Sequence, residues 1–188
     1  MKKIVLGIVG VLVVVVAAVL GLATTKPDSF SVERQIVIAA PPAAIFANLD
    51  DFHRWAAWSP WEKLEPNMKK TFSGAANGPG AVYEWEGKEV GHGRMTITDS
   101  TPNQKLDIKL EFIKPFEATD ATVFELTPAS AATKVRWNMS GSQNFMAKVM
   151  AVFMDMDKLI GKDFEAGLAD LKRISESPAA AASAAAAK

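Results

Sequence analysis

The chain is 188 residues long, balances 21 basic against 21 acidic side chains and contains no cysteine. The missing cysteine excludes a disulfide framework and a lipid-modified cysteine anchor. No basic run or nucleic-acid-binding motif occurs, so no nucleic-acid partner is expected.

Twenty residues from Ile4 to Ala23 carry no charge and follow Lys2 and Lys3. At about 1.5 Å of rise per residue they make a helix of roughly 30 Å, the thickness of a bilayer's hydrocarbon core. Residues 1–23 are read as a transmembrane anchor. The alternative is a cleaved signal peptide, for which Gly21-Leu22-Ala23 offers a small-x-small site, although such peptides usually have an apolar region of only about 7–15 residues. Basic residues ahead of the span keep that end in the cytoplasm. The expected location is the inner membrane, single-pass, with the C-terminal domain in the periplasm.

Residues 24–29 are a short polar linker with a reach of at most about 20 Å. Phe30, Val32, Ile36 and Ile38 recur at period two and predict a strand over 30–39. Pro41-Pro42 stops it, and a short helix runs from Pro42 to Leu49. Asp50-Asp51 caps a second short helix through Phe52 and Trp55. Trp55, Trp58 and Trp61 then crowd one corner, where Ser59-Pro60 makes a rigid turn. They are read as packing that corner in preference to forming a cavity mouth or a membrane contact.

Strands are predicted at 69–73, 81–86, 91–100, 104–113, 121–128 and 133–140. Short turns between them make an antiparallel meander. Phe145, Val149 and Phe153 give a short amphipathic segment rich in methionine (Met146, Met150, Met154, Met156), suited to an adaptable surface or to core filling. Leu159, Ile160, Phe164, Leu168, Leu171 and Ile174 recur every three or four residues, the mark of a long helix with one buried stripe. The Ala-rich stretch 177–188 is expected to be a disordered tail. The fold class is therefore α+β, a curved antiparallel sheet of about seven strands around a long C-terminal helix.

Four segments (34–42, Ile45-Phe46, 55–61 and Gly93-Arg94-Met95) resemble the START-like superfamily of helix-grip domains. Together with 164–172, they are most similar to its bacterial polyketide cyclase/dehydrase-like branch. The resemblance covers residues 30–176 and implies a deep, mostly apolar cavity between the concave sheet and the last helix. No cyclase active-site motif is present to carry over.

Tyr83, Trp85 and Trp137 are expected on one face of facing strands, as ordinary aromatic core or, as the resemblance implies, as a cavity wall with polar handles. Met95 and Met139 extend that wall, with Phe164 and Leu168 opposite. His92 and Arg94 alternate with Met95 and are expected to point away. His53, Glu84, Glu86, Asp120 and Glu125 are acids or bases by type, unpaired in sequence and read mainly as solvated charge. His53 and His92 lack the converging ligands a metal requires, so no metal or cofactor is expected. The favoured function is binding of a hydrophobic small molecule or lipid, with the membrane as second partner through the N-terminal helix. An enzyme of polyketide cyclase/dehydrase type and an envelope protein-interaction module are the alternatives. A buried, unpaired acid on the concave face would favour the enzyme.

Overall fold

The computed structural model describes residues 2–177, so the tail expected over 177–188 lies outside the described residues except for Ser177. Helix α1 (Lys2–Thr24) comes first, and its sides are exposed from Ile4 to Val16. Strand β1 (Ser29–Ile38) leads into α2 (Pro42–Leu49), which opens with proline at its first turn and buries Ile45, Phe46 and Leu49. A 3₁₀ helix follows at Phe52–Ala57, where the Asp51 carboxylate accepts the His53 amide at 2.9 Å as its cap. The corner expected at Ser59-Pro60 is itself a one-turn helix, α3 (Pro60–Leu64). Then come β2 (Lys69–Gly74), β3 (Ala81–Glu86), β4 (His92–Thr101), β5 (Lys105–Lys114), β6 (Ala118–Ala129) and β7 (Ala132–Ser142). Two helices close the described chain, α4 (Phe145–Phe153) and α5 (Met156–Ser175).

The seven strands form one sheet in the order β1-β7-β6-β5-β4-β3-β2, every neighbouring pair antiparallel. Helix α5 lies along β1 inside the curve. Trp55 and Trp58 lock the corner by donating their indole N–H groups to the carbonyls of Leu49 and Asn48, at 3.0 and 3.1 Å. That corner is structural, with Trp55 and Trp58 fully buried.

Arg34 holds the first half of α5 against β1. Its guanidinium bridges Asp157 (3.0 Å) and Glu165 (2.8 Å). A side-chain carbon at Gly161, between those two acids on the helix, would collide with it. Close approach therefore requires glycine there.

Strand register sorts the concave face into rows. Leu126, Val135 and Ile36 form the first, and Leu106, Phe124, Trp137 and Arg34 the second. Ile97, Ile108, Thr122, Met139 and Val32 form the third. A fourth row crosses all seven strands, through Phe72, Tyr83, Met95, Leu110, Asp120, Gly141 and Phe30. Beyond it lie Lys70, Trp85, Gly93, Phe112 and Ala118. This last row sits at the end of the sheet where β1 begins and β7 leaves, so it is also the end at which α1 and α4 join the domain.

Candidate functional site

Burial falls along those rows. In the first three, the large apolar side chains other than Ile36 are closed off: Phe124, Val135, Leu106 and Ile97 are at 0% exposure and Trp137 at 1%. Helix α5, from its middle onward, seals them with Phe164, Leu168 and Leu171. Trp137 stacks on Phe164 with centroids 4.0 Å apart and planes 8° apart, and Trp61 meets both rings edge-on. Surfaces so closed leave no water-sized void beside them. In the last two rows Met95, Trp85, Phe112 and Phe30 are only half-buried, as is Ile160 on α5. The interior is therefore a packed half continued by a half-covered, mostly apolar stretch of the same face.

The expected wall residues divide between these halves. Trp137, Met139, Phe164 and Leu168 belong to the packed half, whereas Trp85 and Met95 line the open one. Tyr83 is buried at the boundary. Tyr83 and Trp85 do share the concave face with Trp137, but not on facing strands, because β4, β5 and β6 stand between β3 and β7. Short turns pair consecutive strands, and that order separates them. The rings of Phe52, Trp55 and Trp58 bridge the gap instead, from Tyr83 to Trp137.

Polar groups mark the boundary. Tyr83 donates its hydroxyl to Glu62 at 2.6 Å, and Lys70 pairs with the other Glu62 oxygen. Glu62 is 6% exposed, so the cation and the phenol together compensate a carboxylate taken out of water. Burial, with Glu62 adding, pushes the Tyr83 phenol far above its ordinary pKa. The need of a buried Tyr83 hydroxyl for a partner was legible in the sequence; that Glu62 supplies it was not.

Asp120 departs from the reading as solvated charge. It is 6% exposed, in the fourth row, with no hydrogen-bond or ion-pair partner for its carboxyl among the described residues. Burial raises its pKa to about 6. Its carboxyl lies over Gly141, where a side-chain carbon would clash with it and with the Phe30 ring. The carboxyl of Asp163, on α5, is likewise raised by burial. In the packed half, Trp137 Nε1 is buried without a hydrogen-bond partner among the described residues.

The other acids and bases are accounted for on the surface. His53 bonds Asp51, Glu84 bonds His92, Arg94 pairs with Glu111, and Glu125 pairs with Arg136. Glu86 is exposed. His92 and Arg94 lie on the convex face, alternating with Gly93 and Met95. Two shallow concavities, of about 250 and 420 Å³, also lie on that outer face, one around Glu33, Lys134 and Arg136 and one around Lys109, Thr119 and Ala121. Among the described residues, no cluster of acids and histidines is arranged to hold a metal.

A sequence model of the family described as polyketide cyclase / dehydrase and lipid transport matches residues 29–176. The chain belongs to this family. It carries the family's ligand-binding domain on the START-like helix-grip fold. The fold recurs in protein CV1439 from Chromobacterium violaceum at 15% identity and a TM-score of 0.57, covering 81% of this chain and 99% of that one. It recurs in protein MLL2253 from Mesorhizobium loti at 21% identity and a TM-score of 0.53, with coverages of 78% and 95%. A third instance is the Aha1 dimer from Colwellia psychrerythraea, at 18% identity and 0.55, with coverages of 76% and 93%. No curated protein matches the chain. Among the described residues, one helix, Ile4–Thr24, is long and apolar enough to cross a membrane.

Proposed function

We propose that this is a membrane-anchored, periplasm-facing protein that takes a hydrophobic small molecule or lipid into the open half of its concave face. Residues 1–23 serve as anchor, 24–29 as linker and 30–176 as the ligand-binding domain. The observation that carries the reading is the gradient of burial. On the strands of the concave face, the half-covered apolar side chains Phe30, Trp85, Met95 and Phe112 collect at the end of the sheet where the anchor enters, and Ile36 is the exception at the other end. A ligand leaving the bilayer thus meets the groove directly. Trp85, Met95 and Phe112 contact it, and Tyr83 closes the inner end. Trp137, Met139, Phe164 and Leu168 back the groove as a rigid floor. Native mass spectrometry of the domain purified without α1, with extraction of co-purifying molecules, tests this. Bound lipid or another apolar compound supports it, and a bare domain after loading with mixed membrane lipids contradicts it.

A second reading has its own observation. Asp120 is buried, unpartnered and poised near pH 6 on the concave face, the setting of a general acid or base. The groove would then hold a hydrophobic substrate. Turnover of a co-purifying compound that stops in Asp120→Asn while binding persists would decide for the enzyme.

A further inference from the structure

Helix α4 is unusual in burying no residue of its own. Phe145, Met146, Val149, Met150 and Phe153 fall within an arc of about 140° on a helix of 3.6 residues per turn. Nothing polar interrupts that arc, and Met146 and Phe153 are 66% and 69% exposed. The opposite side carries Ala147, Lys148, Ala151 and Val152, all partly covered. Lys148, the one charged residue of α4, is turned back to pair with Asp28 of the linker. Such a face in water would be an aggregation liability.

The neighbour of α4 says what covers it. It packs against α1, whose side chains lose exposure at Val19 and Ala23, one turn apart near its C-terminal end. Val19 lies five residues before Thr24, so α4 meets α1 within about 8 Å of the end of the span. An interfacial helix buries its apolar face to a depth of about 5–10 Å. The β5–β6 turn stands at the same end of the sheet and presents Phe116, 79% exposed.

We propose that α4 lies in the membrane interface beside α1, its Phe145–Phe153 face in lipid and the Phe116 turn touching the same surface. This rests on reading α1 as an anchor. Two attachments fix an orientation that a single helix cannot, and here they hold the open end of the concave face against the bilayer.

Because the chain has no cysteine, single cysteines can report position in the full-length protein reconstituted into vesicles of phosphatidylcholine and phosphatidylglycerol. Met150→Cys, Val13→Cys and Thr127→Cys are each labelled with an environment-sensitive nitrobenzoxadiazole probe and challenged with nitroxide-bearing lipids. The expected result is a blue-shifted Met150→Cys signal quenched most by a nitroxide near the headgroup. Val13→Cys should be quenched most by a deep nitroxide, and Thr127→Cys by neither. A Met150→Cys probe in water, with Val13→Cys still deep, overturns the interfacial helix and leaves the anchor standing. A shielded probe that no lipid nitroxide quenches assigns the face to a protein and also overturns it. If Val13→Cys itself reports water, the anchor falls and this proposal falls with it.

Discussion

Replacing Phe164 by alanine probes the packed half of the domain. The side chain is at 0% exposure, stacked on Trp137 at 4.0 Å and flanked by Trp61 at 6.3 Å. Removing a buried phenyl ring costs about 3–5 kcal/mol, from lost transfer energy and the cavity left behind. The upper half of that range applies, because the walls of the void are large rings, Trp137 held by a strand and Trp61 by helix α3, and cannot collapse into it. Loss of the stacked pair adds roughly 0.5–1.5 kcal/mol. Against a typical domain stability of about 5–15 kcal/mol this is a large fraction. At about 2–4 °C per kcal/mol for a domain of this size, the resulting loss of about 4.5–6.5 kcal/mol should lower the melting temperature by roughly 9–26 °C. Urea unfolding followed by tryptophan fluorescence gives the free energy, with the half-exposed Leu159→Ala on the same helix as control, expected to change by no more than about 0.5 kcal/mol. A loss below about 1 kcal/mol for Phe164→Ala would show that the ring is not packed as described.

Tyr83→Phe removes a hydrogen bond to a buried carboxylate and should cost roughly 1.5–3 kcal/mol in the same assay; a neutral result would mean that Lys70 alone satisfies Glu62. The Asp120 carboxyl binds its proton more tightly in the folded protein, with a pKa of about 6 against an ordinary 3.8. Stability therefore falls as pH rises through that window. Asp120→Asn should be more stable than the parent at pH 8, and the gap should close by pH 4; a gap that does not change with pH refutes the buried-carboxyl account. The full-length protein should stay in the membrane pellet after alkaline carbonate extraction, whereas a soluble product beginning near Thr24 would identify residues 1–23 as a cleaved signal.

The strands were legible because hydrophobic alternation survives wherever one face is buried, as in Leu106, Ile108 and Leu110. The alternation fades where burial does. Strand β6 begins at Ala118, three residues before the pattern announces it, because Ala118 and Thr119 lie exposed at the open end and are held by pairing with β5. Helix α3 is not legible in the sequence because five residues are too few to show a period. Glu62 and Asp120 were hidden for a different reason. Each looks like a surface charge until register and the corner's geometry place it indoors, and those depend on residues far away in sequence. The methionines of α4 were visible as an apolar face. Only the fold shows that this face packs on nothing in the core and stands beside α1.

The central claim is that ligand enters the open half of the concave face. Its most direct test is the affinity of the domain lacking α1 for a fluorescent fatty-acyl probe, measured by titration in three variants. Trp85→Ala and Met95→Gln should weaken binding about tenfold, or roughly 1.4 kcal/mol, with little change in melting temperature. Phe164→Leu should lower the melting temperature and leave the affinity nearly unchanged. Binding that ignores Trp85 and Met95 but responds to Phe164 would put the ligand in the packed half and contradict the account.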